Sequence, residues 1–478
     1  MDAPGRALLD DLPPSLVVEL VGALPETLVD LTHDSRQVQP GWAFACVPGE
    51  HHDGHDFAGQ AVAAGAGLLL VEHRLPTSSV GETAQLVVTD VRRAMGFAAA
   101  TVHGHPASAL TLVGITGTNG KTTTTQLLGS ILRAAGREVR ELGTLSGART
   151  TPESTDLQRR LAGFVCDGVD TVVMEVSSHA LALHRVAGTR FDVAVFTNLG
   201  RDHLDLHASM EAYFRAKASL FMPDLSDVGI TNLDDPYGRL LLDVAAIEMV
   251  GYSTDDALDL DVGIDRHRFV WRGQQVHVPI GGVFNVANSL AALNAATALG
   301  LDPATAARGL ATLSPVPGRF EVVSAPGASA AVVVDYAHTP EGLENVLRSA
   351  RRLATGRVIA VFGCGGDRDA DKRPLMGAAA AANADVVIVT SDNPRREDPQ
   401  AIVDAVLGGI DGRYRERVSA ELDRRTAIGQ AIGSARAGDV VVIAGKGHET
   451  TQTIGDLVLP FDDREVARAA LDGSGDDT

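Results

Sequence analysis

Thr111-Leu-Val-Gly-Ile-Thr-Gly117-Thr-Asn-Gly120-Lys121-Thr122-Thr123 decides how the rest of this chain reads. An apolar, β-branched run enters a loop of glycines, threonines and one asparagine. The loop closes on Gly-Lys-Thr, and Leu127, Leu128, Ile131 and Leu132 then recur at helical spacing, with Gly136 as the expected stop. A strand, a glycine-rich turn and a helix start make a phosphate cradle. Glycines let backbone N–H groups approach phosphate oxygens, and the helix N-terminus favours an anion. Gly117, Thr118, Asn119, Gly120 and Thr123 would line the cradle. Lys121 would neutralise terminal phosphates and Thr122 could ligand Mg²⁺. Five residues, one more than in the common motif, separate Gly114 from Gly120.

Outward from this loop the same grammar repeats. The runs Thr171-Val-Val-Met, Val193-Ala-Val-Phe, Val332-Val-Val, Val358-Ile-Ala-Val-Phe, Val386-Val-Ile-Val and Val440-Val-Val-Ile alternate with Ala/Leu-rich helical stretches. Continuous apolar runs suit strands buried on both faces, so the fold class is α/β with parallel sheets. Polar motifs directly follow these runs: Glu175-Val-Ser-Ser-His179, Thr197-Asn-Leu, Asp335-Tyr-Ala-His338, Gly363-Cys-Gly-Gly-Asp-Arg368, Asp392-Asn393-Pro394-Arg395 and Gly445-Lys-Gly-His-Glu449. Ligands of open α/β sheets bind beyond the carboxyl ends of the strands, so two such domains could face each other across one cleft.

The 478 residues allow two to four domains. Turn-rich stretches at His103-Gly-His-Pro and Leu313-Ser-Pro-Val-Pro-Gly predict boundaries giving 1–107, 108–316 and 317–478. A net charge of -20, from 61 acidic and 41 basic residues, argues against nucleic acid. Cys46, Cys166 and Cys364 are too scattered for a zinc site or a disulfide framework. The N-terminal residues lack the basic and apolar regions of a signal peptide, and no apolar run reaches membrane length, so a cytoplasmic protein is expected.

Several residues read two ways. Glu175, at a strand end beside the phosphate loop, is a Mg²⁺ candidate. His203, amid Asn, Asp and His, suits a metal or a phosphate. Lys217, taken alone, is an ordinary helix-surface lysine. Asn285 and Asn288 could meet a nucleobase edge, or one could cap a helix. Asp392 and Arg395 could take the ammonium and carboxylate of an amino acid, or simply pair with each other at a surface turn.

The ordered set of motifs resembles the Mur ligase family, within it the members that add the third residue of the peptidoglycan stem peptide. The resemblance runs from Asp34-Ser-Arg36 and Asp53-Gly-His55, through Gly117-Thr-Asn-Gly-Lys-Thr-Thr and Thr150-Thr-Pro-Glu153, to Gly445-Lys-Gly-His-Glu and Phe461-Asp-Asp-Arg. It implies a small N-terminal α/β domain for a uridine nucleotide, a central ATPase-like parallel-sheet domain, and a Rossmann-like C-terminal domain for the incoming amino acid. The implied activity is ATP-dependent acid–amino-acid ligation in cell-wall precursor synthesis. Its partners would be UDP-N-acetylmuramoyl-L-Ala-D-Glu and meso-diaminopimelate, with a monomer favoured. L-lysine as the amino acid, or a nucleotide-binding relative without turnover, are the alternatives.

On the same resemblance, Lys121 and Thr122 serve ATP and Mg²⁺. Glu175 and His203 are Mg²⁺ ligands, Asn288 is an adenine contact, and Arg319 and Asp335 are nucleotide contacts. Thr150, Thr151, Ser177 and Arg185 meet the muramyl peptide, Ser35 the uridine, with Glu50 and His51 nearby. Tyr213-Phe-Arg-Ala-Lys217 resembles the lysine that becomes a CO₂-derived carbamate and holds a second Mg²⁺. Asp392-Asn393-Pro394-Arg395 resembles the motif of diaminopimelate-adding members, with Arg395 on the second carboxylate and Arg368, Gly445 and Glu449 completing the pocket. Two features depart from most relatives. Only residues 145–149 separate Thr144 from Thr150, and Leu183 stands where a Gln is common. No base is evident for the amine attack; His207 and Glu449 are the sequence candidates.

Overall fold

In a computed structural model, residues 3–49, 52–147, 149–202, 206–325 and 328–473 are described. Three main sheets follow one another along the chain. The first has five strands in the order Val17–Val21, Ala84–Val88, Leu68–Val71, Ala43–Ala45, Leu31–Thr32. Its first pair is antiparallel and the rest are parallel.

The second sheet is wholly parallel. Its order is Glu248–Tyr252, Ser226–Asn232, Phe191–Phe196, Thr111–Thr116, Thr171–Glu175, Val139–Leu142. Val113, Ile115, Val173, Val193 and Val195 pack on one face against the helices Lys121–Ala134 and Phe284–Ala298, while Leu112, Val172, Ala194 and Phe196 join the core on the other. This two-sided burial is why the strands read as unbroken apolar runs. Thr111–Thr116 lies where the winding reverses: later strands add first on one side of it, then on the other. The crevice at its carboxyl end is therefore open to a ligand. An antiparallel three-stranded sheet, Leu258–Val262, His267–Trp271 and Gln274–Val278, adds to this region.

The third sheet runs Glu321–Val322, Ala331–Asp335, Val440–Ala444, Val358–Phe362, Val386–Val389, Val418–Ala420. All its pairs are parallel except the first. A hairpin, Thr451–Ile454 with Leu457–Pro460, follows its central strand. Among the described residues no helix is long and apolar enough to cross a membrane.

Contacts between the sheets fix the cleft. Arg159 reaches from the helix Ser154–Cys166 to Asp30, with Nε–Oδ2 at 3.0 Å and Nη2–Oδ1 at 3.1 Å. On the other side Arg319 Nη2 donates to Thr122 Oγ1 at 3.0 Å. The helix Pro340–Leu353 brings its N-terminus beside the phosphate loop: a Cβ on Gly342 would sit 3.5 Å from Asn119 Oδ1.

Candidate active site

The phosphate loop is held from behind. Thr118 N donates to Asn198 O at 2.9 Å, Asn119 N to Asn198 Oδ1 at 2.9 Å, and Thr197 Oγ1 to Asn119 O at 2.6 Å. Gly117, at φ 150°, leaves no room for a side chain, since a Cβ would meet Thr197 Oγ1 at 1.9 Å. Gly120 is left-handed at φ 88° and precedes a helix that has no side-chain cap. Its first N–H groups thus remain available to an anion.

Lys121 folds over this loop, with Nζ 2.8 Å from Gly117 O and 2.9 Å from Thr118 O. Burial lowers its pKa; Glu175 and Asp202 oppose that shift and Arg319 adds to it. Thr122 Oγ1 donates to Glu175 Oε1 at 3.0 Å. Glu175 ends its strand in register with Ile115, and it also accepts Thr144 N at 2.9 Å and Thr144 Oγ1 at 3.2 Å. A hydroxyl beside a carboxylate is an oxygen set that fits Mg²⁺. His203, the other expected ligand, lies outside the described residues, as do Glu50 and His51.

Lys217 is not on a surface. The helix Met210–Ala218 turns it under the phosphate loop, leaving it 1% exposed. Its Nζ donates to Gly117 O at 2.9 Å and lies 4.6 Å from the Tyr213 ring centre. Burial pushes its pKa well down, the charge of Lys121 pushes it further, and Asp202 opposes.

Asn288 is likewise not a helix cap. Its Nδ2 donates to Asn285 Oδ1 at 2.8 Å, and its Oδ1 accepts from Thr124 Oγ1 at 3.4 Å. Arg319 lies with its guanidinium 4.4 Å from the Tyr336 ring centre. Asp335 accepts Phe320 N at 2.7 Å and Ala337 N at 2.8 Å, and burial raises its pKa. Lys121, Thr122, Thr123, Glu175, Asn288, Arg319 and Asp335 line one cavity of about 500 Å³, with Thr150 and Ser177 also on its wall.

Thr150 Oγ1 is 3.2 Å from Thr144 Oγ1, which closes the short loop between them. Thr151 sits just behind: its Oγ1 donates to Glu175 O at 2.9 Å and accepts Ser177 N at 3.1 Å. Arg185 donates to Thr151 O at 3.3 Å and pairs with Glu153 at 2.8 Å. Ser35 stands apart on an exposed loop, where its hydroxyl meets Gln60 Oε1 at 3.3 Å. His33, two residues before it, reaches Thr155 Oγ1 at 3.3 Å, so that loop leans toward the Thr150 segment.

A second cavity, of about 340 Å³, is lined by Arg368, Asp392, Asn393, Arg395, Gly445 and Glu449, together with His179, Cys364, Asp369 and Lys372. It shares Asp202, Tyr336 and His338 with the first. Asp392 is buried, which raises its pKa against the pull of Arg424 and Lys446. Gly445, at φ 112°, is required there: a Cβ would lie 2.6 Å from Asp392 Oδ2. Arg395 does not pair with Asp392; its Nη1 donates to Gly366 O at 2.6 Å. Its backbone is left-handed at φ 53°, a conformation that costs about 1 kcal/mol outside glycine. The hairpin holds it there, with Arg395 N to Thr453 O at 3.0 Å and Gly455 N to Arg395 O at 2.6 Å. Pro394 forms the rigid middle of the turn, and its carbonyl accepts Glu397 N at 3.1 Å.

Comparison with known proteins agrees with this architecture. Residues 29–103 match the Mur ligase family catalytic domain, 115–296 the Mur ligase middle domain, and 318–447 the Mur ligase glutamate ligase domain. A UDP-N-acetylmuramoyl-L-alanyl-D-glutamate--2,6-diaminopimelate ligase of Syntrophomonas wolfei is 43% identical, over 97% of this chain and 99% of its own. The chain belongs to the Mur ligase family. The ligase of the same description from Geobacillus thermodenitrificans is 46% identical, over 93% of this chain and 95% of its own. A solved structure of that description superposes with a TM-score of 0.69 at 34% identity, covering 99% of both chains.

Within this Mur ligase two buried groups beside the second cavity carry no role that the sequence assigns, although the first lies inside the Gly445-Lys-Gly-His-Glu449 motif. Lys446, 0% exposed, donates to Thr451 O at 2.6 Å, Glu449 Oε2 at 3.1 Å and Asn393 Oδ1 at 3.4 Å. Arg424 pairs with Asp463 at 2.7 Å, both fully buried, and donates to Ser391 O at 3.3 Å and Ala444 O at 2.9 Å. Those carbonyls immediately precede Asp392 and Gly445, so the pair fixes the spacing of the two loops. A lysine between two glycines directly after an apolar run was the available signal for the first; the second is visible only in three dimensions.

Proposed function

We propose that this protein is an ATP-dependent ligase that adds meso-diaminopimelate to UDP-N-acetylmuramoyl-L-alanyl-D-glutamate through an acyl phosphate, in peptidoglycan precursor synthesis. Near-full-length relatives of that description support it. The observation that carries it furthest is the pair of joined cavities. One has a phosphate loop and two helix N-termini; the other has Arg395, Arg368 and Asp392 on its wall.

On this reading residues 1–107 bind the uridine nucleotide through Ser35, Glu50 and His51, residues 108–316 bind ATP, and residues 317–478 bind the amino acid. Gly117 to Thr123 cradle the phosphates, and Lys121 swings from its loop carbonyls onto the terminal phosphate. Asn288 takes the adenine edge, while Arg319 and Asp335 tie the third region to the nucleotide. Thr150, Thr151, Ser177 and Arg185 orient the D-glutamate carboxylate. Thr122, Glu175 and His203 would hold Mg²⁺, which offsets the charge that gathers in phosphoryl transfer. Lys217, sealed beneath the loop next to another cation, is suited to react as a neutral amine with CO₂. Its carbamate would hold a second Mg²⁺.

The phosphoryl group passes from ATP to the D-glutamate carboxylate. The amino acid sits with the ammonium of its distal centre near Asp392 and Asn393 and the distal carboxylate on Arg395, in the bidentate geometry that a guanidinium prefers, which leaves its other amine to attack. Its amine then displaces phosphate. L-lysine lacks the distal carboxylate and would leave Arg395 without its partner.

Phosphate release with ATP, Mg²⁺ and the UDP-linked dipeptide tests this, comparing meso-diaminopimelate with L-lysine. Release dependent on diaminopimelate, with the tripeptide seen by mass spectrometry, is the expected result. Release with lysine alone would remove the role given to Arg395, and no release with either would refute the ligase reading.

A further inference from the structure

We infer that His338 is the general base that takes the proton from the incoming ammonium group. The inference rests on the ligase reading above and deepens it at the step for which the sequence offered no base. Both sequence candidates are poorly placed. His207 is buried against Tyr213, with ring centres 5.0 Å apart, and lines neither cavity. Glu449 is held by Lys446 at 3.1 Å and by Asn393 at 2.8 Å.

The amine must meet the acyl phosphate where the two cavities join, and among the described residues the three common to both walls are Asp202, Tyr336 and His338. Tyr336 is no base, because burial pushes its phenol up to about 12. His338 has the geometry of one. Its Nδ1 lies 2.8 Å from Tyr336 O. A carbonyl can only accept, so the ring proton sits on Nδ1 and the lone pair is on Nε2. Asp202 Oδ2 is 3.9 Å from Nε2, beyond direct hydrogen bonding but close enough to stabilise the imidazolium formed. Desolvation by the cavity walls lowers the pKa of His338 although 37% of its side chain stays exposed; Asp202 opposes, Lys372 and Arg319 reinforce the shift, and the bond to Tyr336 O opposes it. The neutral, proton-accepting form therefore prevails at pH 7.

The step balances simply. Nε2 takes one proton from the ammonium, freeing the nitrogen lone pair. That lone pair forms the C–N bond at the acyl carbon. The C–O bond to phosphate breaks as the tetrahedral intermediate collapses, and phosphate leaves with the electron pair. The nitrogen's second proton goes to the departing phosphate, and His338 returns its own to solvent.

The test uses His338→Asn, whose amide can keep the bond to Tyr336 O but cannot act as a base. Hydroxylamine replaces diaminopimelate in one arm: it is unprotonated at neutral pH, needs no base, and traps the acyl phosphate as a hydroxamate. The variant should form hydroxamate at the wild-type rate while its diaminopimelate turnover falls about 10²- to 10³-fold. The residual turnover should climb with pH as the amino acid's own amine deprotonates. Equal loss in both arms would overturn the role, since His338 would then act before the amine arrives, and so would undiminished diaminopimelate turnover. Absence of hydroxamate from the wild-type protein would instead strike the ligase reading itself.

Discussion

Lys217 and Lys446 are both sealed from water, at 1% and 0% exposure, one beneath each cavity of the cleft, and their surroundings are opposite. Lys217 has a carbonyl, an aromatic face and a second lysine as neighbours, and the more weakly acting charge of Asp202 does not offset that lysine. Lys446 has a carboxylate and two oxygen acceptors. Burying an ammonium is costly unless it is paired and hydrogen-bonded. The nucleotide side therefore keeps a lysine poised to lose its charge, whereas the amino-acid side uses one as a structural tie. Burial alone does not separate a reactive lysine from a structural one; the sign of the neighbouring charge does.

Lys217→Met should break the nucleotide side with the largest effect, about a 10³-fold fall in kcat, because the carbamate proposed there, and the metal it would hold at the phosphates, could no longer form. Its fold should persist, since the methionine stem fills the same space. The companion measurement is ¹³C NMR with labelled CO₂. A carbamate resonance present in the wild-type protein and lost in the variant is expected. A variant that turns over normally would show that the buried amine is a spacer.

The sequence was most informative where structure is local. The run from Thr111 to Thr123 contains its own strand, turn and helix start, and the chain folds there as read. The motifs after the apolar runs also gather as expected: Arg368, Asp392, Asn393, Arg395, Gly445 and Glu449 share one cavity although they span some 80 residues of chain. Parallel strands bring all their carboxyl ends to one edge, so motif position after a strand carries three-dimensional information. What the sequence did not disclose depends on docking between distant elements. Lys217 reads as a surface residue until its helix is seated under Gly117, 100 positions earlier. Arg424 lies in an unremarkable helix whose ion pair waits for Asp463. The strand Leu258–Val262 alternates Leu258, Leu260 and Val262 with Asp259 and Asp261, yet neither face is buried, because it lies at the edge of a small sheet with both leucines exposed.

The amino-acid side can be probed at smaller amplitude. Arg395→Ala removes one charge-assisted contact, worth about 1.5–3 kcal/mol, so KM for diaminopimelate should rise about 10- to 100-fold with KM for ATP unchanged. The test is sharp because Arg395 occupies a left-handed backbone that the hairpin, not the guanidinium, maintains. If KM for ATP rose in parallel, the two cavities would be one unit and the contrast between the lysines would lose its basis.

Lys446→Met should give the smallest catalytic change and the clearest loss of stability. Methionine keeps the apolar stem but leaves Glu449, Asn393 and the Thr451 carbonyl without their shared donor. Glu449 keeps a third of its side-chain exposure, and solvent there screens part of the penalty. A loss of about 2 kcal/mol is therefore expected by denaturant titration rather than the full cost of stranding a buried ion. KM for diaminopimelate should rise severalfold, because Asn393 and Glu449 lose their common anchor while Arg395 keeps its own. Phosphoryl transfer, read as hydroxamate formed with hydroxylamine, should be untouched. A variant as stable as the wild type but devoid of hydroxamate formation would reverse the assignment, making Lys446 the reactive lysine and Lys217 the tie.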